Sequence, residues 1–539
     1  SSVPVAQTFV RGGVFTFANY LFDTTASSED VRFQSLPLKL ENSGRFSGAP
    51  NNLNSCQLYD GSTALNTGAN AVDPSGSATT SDITPTFIFD SPLTIPKGIV
   101  KAIGLQCKVS TAAPMSSTYQ WGISAAPAIA VTGVTSGTNV AETVIAADGQ
   151  VMTVARNGAL TVTIDPLTPP YTIASAGTSG VTLGKLKFHA ANEVINLFRV
   201  ALQSTNTASS SITDLTGISL WDGSTQVGTA AFTATRFATS TLTTQVTIPK
   251  DGDKVITIKG NLANIGMSQP GIQGALIAVN YDGDDLTGTK GVGQESGSTI
   301  NSSSRNDTRF AGVRMFKSFP TFTKLSVPST RLLGGSGSEP MSLYRFSVKA
   351  DSAGSVGIYK FTAYIATSSI PIGATTSVTN LKMKAFTDSS FSSPVSGFGE
   401  SGTPAGQLNN AIASLINMGT TSILMNASTQ GTGRDYLQIP AGATYYFQLQ
   451  GDIGQTNAPR SAAVLTRIEG DHTYPTFWQS STYQMAPAAS TTVFIPNHHD
   501  FIWSPNATTS SLTTHSDWAN GYFVPGLPAD NMDPVVLTQ

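Results

Sequence analysis

Charge is scarce in this chain. Lys, Arg, Asp and Glu make up 12% of its 539 residues, and the net charge is −3. Cations this sparse leave no basic stripe to neutralise phosphates, which excludes nucleic-acid binding as a main role. They also leave no polybasic segment for an anionic membrane. No run of about 18 apolar residues occurs, so no membrane-spanning helix is expected. Cysteine is nearly absent, with only Cys56 and Cys107. Two readings of this pair stay open: two buried free thiols, or one disulfide inside a single unit, about 6 Å apart at Cα. An oxidising compartment favours the second. The chain opens Ser1-Ser2-Val3-Pro4 without an initiator Met, n-region or h-region, and reads as processed by removal of a signal peptide.

The polar part of the sequence is mostly Ser, Thr, Asn, Gln and Gly. Neutral surfaces of this kind suit extracellular β-proteins. The 50 Gly and 29 Pro fit tight turns and oppose long helices. The length suggests about three or four domains, and a hydrophobic share of 40% is enough to build their cores.

The chain repeats itself. An Ile-Pro turn leads into an alternating strand at Ile95-Pro96, Ile248-Pro249 and Ile439-Pro440. Ile103, Leu105 and Cys107 share one parity in the first copy, as do Ile256 and Ile258 in the second, and Phe447 and Leu449 in the third. Period two buries one face of each strand. Upstream, Cys56-Gln57-Leu58-Tyr59-Asp60-Gly61 matches Ile218-Ser219-Leu220-Trp221-Asp222-Gly223, with Asp-Gly as a tight hairpin turn. The third copy, Leu381-Lys382-Met383-Lys384-Ala385-Phe386, keeps the strand without that turn. Further upstream, Val14-Phe15-Thr16-Phe17 aligns with Lys185-Leu186-Lys187-Phe188 and Leu343-Tyr344-Arg345-Phe346. The order of elements is the same in all three copies. Gly260 and Gly451 stand where Cys107 stands, so a close-packed spot is expected there.

Turn signals every 8–12 residues predict an all-β fold of tandem immunoglobulin-like antiparallel β-sandwiches. Composition places the units at 1–145, 146–307 and 308–475, followed by an aromatic-rich C-terminal segment at 476–539. Copies two and three carry an extra alternating run ahead of the opening element, at 159–164 and 322–327. The first copy has only 1–13 there and lacks room for it. An open sheet edge is the expected result, covered by strand addition from a neighbouring subunit or by a local loop within 113–145. The tail is the first candidate donor.

Searches for chemistry return little. Leu333-Gly334-Gly335-Ser336-Gly337-Ser338 lacks the Lys-Ser/Thr pair of a phosphate loop. Gly399-Glu400-Ser401-Gly402-Thr403 lacks the last Gly of a nucleophile elbow. His498 and His499 are adjacent, so on a strand they would face opposite ways, and with His515 and Asp517 they form a poor zinc set. The best cation candidate is Asp282, Asp284 and Asp285, an oxygen-rich loop for calcium, with a solvated turn as the plain alternative. No catalytic residue can be nominated, and no other cofactor is expected. Asn301, Asn306, Asn426 and Asn506 open N-x-S/T triplets. Trp503, Trp518, Tyr522 and Phe523, with Phe501, are large rings for a tail. They would either close the third sandwich or form an assembly interface with a neighbouring subunit.

The segments Leu220-Trp221-Asp222-Gly223-Ser224-Thr225, Ile248-Pro249-Lys250-Asp251-Gly252-Asp253-Lys254 and, in the tail, Phe501-Ile502-Trp503-Ser504-Pro505-Asn506, Ser516-Asp517-Trp518-Ala519-Asn520-Gly521-Tyr522 and Pro525-Gly526-Leu527-Pro528 carry a resemblance. The chain resembles the large surface proteins of ultra-small candidate-phyla bacteria (Patescibacteria). That resemblance implies an exported cell-envelope protein, a surface-layer subunit, with no catalytic residues to carry over. The composition independently suits assembly. The expectation is therefore a non-enzymatic, extracellular structural subunit that binds copies of itself in an S-layer-like lattice. A pilus-like filament subunit and a monomeric surface adhesin are the alternatives.

Overall fold

The computed structural model describes residues 4–42, 46–77, 81–204, 211–332, 339–396, 398, 407–409, 415–416, 418–425, 436–457, 459–472, 500–507, 518–529 and 531–539. The expectations placed on 333–338, 399–403, Asn426, His498, His499, His515 and Asp517 lie outside the described residues. Among those described, the only helical pieces are short 3-10 turns, Pro50–Asn52, Gly68–Asn70 and Ile212–Asp214. The fold is all-β, as composition predicts. It consists of three sandwiches in tandem, each around its own apolar cluster.

One sheet is built alike in each sandwich. A central strand (Val100–Val109, Gly252–Leu262, Thr444–Thr456) lies between an opening strand and a hairpin strand. The opening strands are Val14–Asp23, Val181–Ala191 and Glu339–Ala350, and the hairpin strands are Leu53–Asp60, Leu215–Asp222 and Thr375–Phe386. All these pairings are antiparallel. Proline fixes the entry to the turn ahead of each central strand. A left-handed residue then completes it at the same place: Gly98 at φ 79°, Asp251 at φ 52° and Gly442 at φ 70°. Both Asp-Gly hairpin turns form, with Gly61 at φ 61° and Gly223 at φ 59°. Each turn Asp pairs with the first Lys of the central strand, Asp60 with Lys101 at 2.6 Å and Asp222 with Lys254 at 2.8 Å.

The register corrects one expected alignment. Phe22 lies across from Lys101 as Phe188 lies across from Lys254 and Val348 across from Tyr445. Phe22, not Phe17, is thus the counterpart of Phe188, and Phe346 is the counterpart of Leu186. All three opening strands also carry a β-bulge at the same point, Phe17, Leu183 and Leu343, visible as a register shift. The bulge reverses parity, so Phe17 and Ala18 are both buried. Alternation alone cannot show such a reversal.

The ends of each unit are also paired. A clasp strand, Gln7–Val10 or Thr172–Ser175, runs parallel to the closing strand of its unit, Ala147–Ala155 or Val313–Phe316. In the third unit Arg331 bridges in parallel to Thr538 of the closing strand Val535–Thr538. The expected boundaries near 145 and 307 thus fall ahead of a closing strand. The Gly/Ser/Thr-rich stretches used to place them are loops inside the units. The next unit starts after only 156–158 and 317–319, with the lead strands Ala159–Ile164 and Pro320–Leu325.

The joints are packed. Lys250 lies 5.6 Å from the Phe9 and Phe15 ring centroids of the first unit. Phe316, at the end of the second unit, packs its ring 4.9 Å from Trp503 of the third.

Candidate functional site

Cys56 and Cys107 form a disulfide, with Cα atoms 4.0 Å apart, and both are fully buried. They join the hairpin strand to the central strand of one sheet, at a bulge between Asn54 and Gln57. Close approach is natural there, since facing Cα atoms without ladder bonds come to about 4.5 Å. In the other units the space is filled by aliphatic side chains, Leu183 and Leu215 in the second and Val378, Leu343 and Leu381 in the third. A Cβ on Gly260 would stand 2.7 Å from Leu183 Cδ1, and one on Gly451 would stand 3.0 Å from Leu343 Cδ1. The small residue noted in the sequence marks this spot in all three copies.

The acidic loop makes turns. Asp282 accepts from the Asp285 N–H at 3.2 Å, Asp285 from Thr287 N–H at 3.1 Å, and Asp307 from Gly283 N–H at 2.8 Å. Asp284 is exposed. Among the described residues no group of three or more His, Cys, Asp or Glu side chains is placed to hold a metal ion. The calcium set is therefore not gathered into a cage among the described residues, and one oxygen each of Asp282 and Asp285 accepts from backbone amides of the loop. Asp282 is buried, at 5% exposure. Burial pushes its carboxyl above the usual carboxylate range, and the charges of Asp307 and Asp285 add to this. A raised folded-state pKa means that the ionised form destabilises the fold at neutral pH, and that the penalty fades as pH falls through the folded value. Asp282→Asn, which keeps the accepting oxygen, is expected to raise the melting temperature of the second unit at pH 7. The gain should shrink toward pH 4, as read by calorimetry at both values. Calcium at 1 mM should leave the same transition where it was.

The aromatic tail closes the third sandwich. Phe501, Trp503 and Trp518 are almost fully buried. Ile502–Ser504 pairs with Val356–Ile370, Ala519–Asn520 pairs with Ile502–Ser504, and Val535–Thr538 pairs with Ser461–Ile468. Trp503 Nε1 donates to the Asn520 carbonyl at 2.8 Å, and the Trp518 ring packs on Tyr359 and Tyr436. Trp503 and Trp518 are thus core residues with no face left for a neighbour. Tyr522 and Phe523 sit at the joint, with ring centroids 5.4 and 5.2 Å from Tyr171 of the second unit. Asn506 is buried and its amide donates to Ser355 Oγ at 2.9 Å.

The first unit does show an open edge. The opening strand Val14–Asp23 pairs with the central strand and, among the described residues, with no strand on its other side. Lead strands occupy that side in the other two units. The place beside Val14–Asp23 is a cleft of about 720 Å³, lined along 18–27 on one lip and 140–145 on the other.

No family model matches the chain, and no curated protein matches it. Among solved structures, similar chains include the C-terminal domain of the Streptococcus agalactiae AgI/II polypeptide BspA, at 8% identity, covering 58% of this chain and 95% of that one, with a TM-score of 0.16. The calcium binding domain CBD12 of CALX1.1 matches at 9% identity over 48% of this chain and 74% of that one, with a TM-score of 0.18. The collagen adhesin CNA from S. aureus matches at 12% identity over 58% and 86%, with a TM-score of 0.10. At these identities and TM-scores the likenesses carry no argument about what this chain does.

Two buried carboxylates that sequence reasoning missed organise the joints and the tail. Glu193 accepts from Gly158 N–H at 2.6 Å in the first linker, and from Ser296 N–H at 2.9 Å. Asp471 accepts from the amides of Asp500 at 2.8 Å, Phe501 at 3.1 Å and Gly521 at 2.7 Å, tying the tail down. Burial pushes the nearby Lys360 ammonium down, while Asp500 and Asp471 oppose that shift. No local motif marks any of these residues. Their partners come from distant segments.

Proposed function

We propose that this protein is a non-enzymatic structural subunit of an extracellular surface layer, assembling with copies of itself into an S-layer-like lattice. The observation that carries this reading is the packing of the joints. Linkers of only 156–158 and 317–319, with rings and Lys250 filling the gaps, hold the three sandwiches as neighbours rather than as beads on a loose string. Fixed geometry between domains is what a repeating lattice requires of its subunit. A buried disulfide supports an oxidising, extracellular setting. The resemblance to candidate-phyla surface proteins points the same way.

Electron microscopy of the purified protein at about 1 mg/mL is the test. Two-dimensional sheets with a repeat on the scale of the molecule are expected. Fibres would favour the filament reading, and particles that stay single at every concentration and salt would favour the adhesin.

A further inference from the structure

The cleft beside Val14–Asp23 has an apolar floor. Tyr20 and Phe22 of the opening strand, Val31 and Phe33 of Val31–Pro37, Trp121 of Thr118–Ile123 and Ile129 line it. All but Phe22 are buried, and the Phe22 ring stands 5.1 Å from that of Phe33. On the lip at 140–145, Val140 and Val144 pack against the same core. Small molecules bind in cavities of about 300–1,000 Å³ with mostly apolar walls and a few polar groups that fix orientation. The 720 Å³ of this cleft lies inside that range. The cleft follows 18–23 of the opening strand, about 20 Å of extended chain, so a linear body suits it better than a compact one.

The charged groups of the lining are already partnered. Asp148 pairs with Lys39 Nζ at 2.7 Å, Asp23 accepts from Thr25 N–H at 2.8 Å, and Glu142 accepts from Ile129 N–H at 3.2 Å. Burial pushes the Tyr20 hydroxyl up, so it stays neutral, and it donates to the Gly122 carbonyl at 3.4 Å. The lining thus gives a charged ligand no counter-charge. The indole of Trp121 is different. The residue is 1% exposed, and its N–H has no hydrogen-bond partner among the described residues. A buried donor without an acceptor is costly, so an acceptor brought to it is favoured.

A strand of the kind found beside the opening strand in the other units would not meet that need. Ala159–Ile164 buries Leu160 and Val162, and Pro320–Leu325 buries Phe322, side chains with no acceptor. An acceptor set within an apolar body does meet it. We propose that the cleft binds an uncharged amphiphile, with an acyl chain along Tyr20, Phe22 and Phe33 and a neutral amide or ester carbonyl that accepts from Trp121 Nε1. Two sources carry this chemistry, a released molecule in solution and one chain of a bilayer lipid. The site is separate from any contact between copies and adds a ligand to a structural subunit.

The test uses the full chain and N-methyldecanamide as the probe. Saturable one-to-one binding is expected by titration calorimetry, with the Trp121 indole N–H resonance moved downfield and its hydrogen exchange slowed. Decyl chloride has a similar length without a comparable acceptor. It should bind about five-fold more weakly, the factor of one ordinary hydrogen bond, and leave that resonance in place. Decanoate should bind more weakly still, because its charge would be buried without a partner. Trp121→Phe should bring the amide down to the affinity of the chloride. Should that variant fail to fold, the ligand series on the unaltered chain still decides. Val144→Trp, on the partly buried lip, should fill the cleft and block the amide without lowering the melting temperature. Co-sedimentation with phosphatidylcholine vesicles that Val144→Trp abolishes would assign the bilayer as source. Amide binding without co-sedimentation would assign the released molecule. No saturable binding up to the solubility limit of the amide, or binding indifferent to Val144→Trp, overturns the site. Equal affinity for amide and chloride, or an unmoved indole resonance, overturns the role of the carbonyl. Decanoate bound as tightly as the amide overturns the uncharged class. A peptide with the sequence of Ala159–Ile164 that binds where the amide does not gives the cleft to a strand and overturns the proposal.

Discussion

A chain truncated ahead of Asp500 is expected to lose its third sandwich, not merely its ability to assemble. The Phe501 ring lies 4.9 Å from Phe322 and 5.4 Å from Phe361, in the middle of the core. Leu537 is fully buried on the closing strand. Removing 500–539 strips three strands from one sheet and leaves the edges of Ser461–Ile468 and Val356–Ile370 bare. No domain of ordinary stability, about 5–15 kcal/mol, survives such a loss. Trp503→Ala alone should cost about 3–5 kcal/mol, the range for emptying a large buried ring. Calorimetry should show the third transition gone in the truncated protein and lowered in the point variant, the second lowered slightly by loss of the rings packed on Phe316 and Tyr171, and the first unmoved. A truncated chain that keeps all its transitions would show that the core closes without the tail, and would return Trp503 and Trp518 to the surface.

The second large effect belongs to the disulfide. Cys56 and Cys107 are 51 residues apart, and closing a loop of that length restricts the unfolded chain by about 4 kcal/mol on the entropy account. Cys56→Ala with Cys107→Ala should destabilise the first unit by about that amount, lowering its midpoint by roughly 10 °C. Cys56→Ile with Cys107→Gly copies the second unit, where Ile218 lies across from Gly260. It should regain about 1–2 kcal/mol through apolar burial. Reductant should move the first transition alone. If all three transitions fall together, the sandwiches do not melt as separate units and the joints are stronger than the cores.

Much of the repeat grammar was legible because it rests on local chemistry. Proline ahead of a left-handed residue, Asp-Gly at a hairpin and strict alternation each have one structural meaning, and all appear where the sequence places them. The bulge at Phe17, Leu183 and Leu343 was not legible. It is a register event, set by pairing with another strand, and the alternation on either side reads the same with or without it. Boundaries failed for a related reason. The closing strands Ala147–Ala155 and Val313–Phe316 lie beyond turn-rich loops, and only their parallel partners far upstream assign them to the unit they complete. The rings of the tail left two readings open, since size alone marks burial without saying against what. The open edge among the described residues was legible by counting, because only 1–13 stand ahead of the opening strand in this sequence. The cleft and the unpaired Trp121 indole were not, since they depend on how the remaining strands close around the gap.

The parallel pairing of clasp and closing strands has a mechanical consequence. In the first unit the clasp strand Gln7–Val10 is the first described strand and the closing strand Ala147–Ala155 the last, and both run in the same direction. A pull on the two ends of that unit therefore slides these strands past each other, so that the bonds from Gln7↔Met152 to Val10↔Ala155 bear the load together. An antiparallel hairpin pulled from its open end would lose its bonds one at a time. Tension across the first unit meets its shear strength there, and the rate of forced unfolding, rather than the equilibrium stability, sets how long the stretched unit holds.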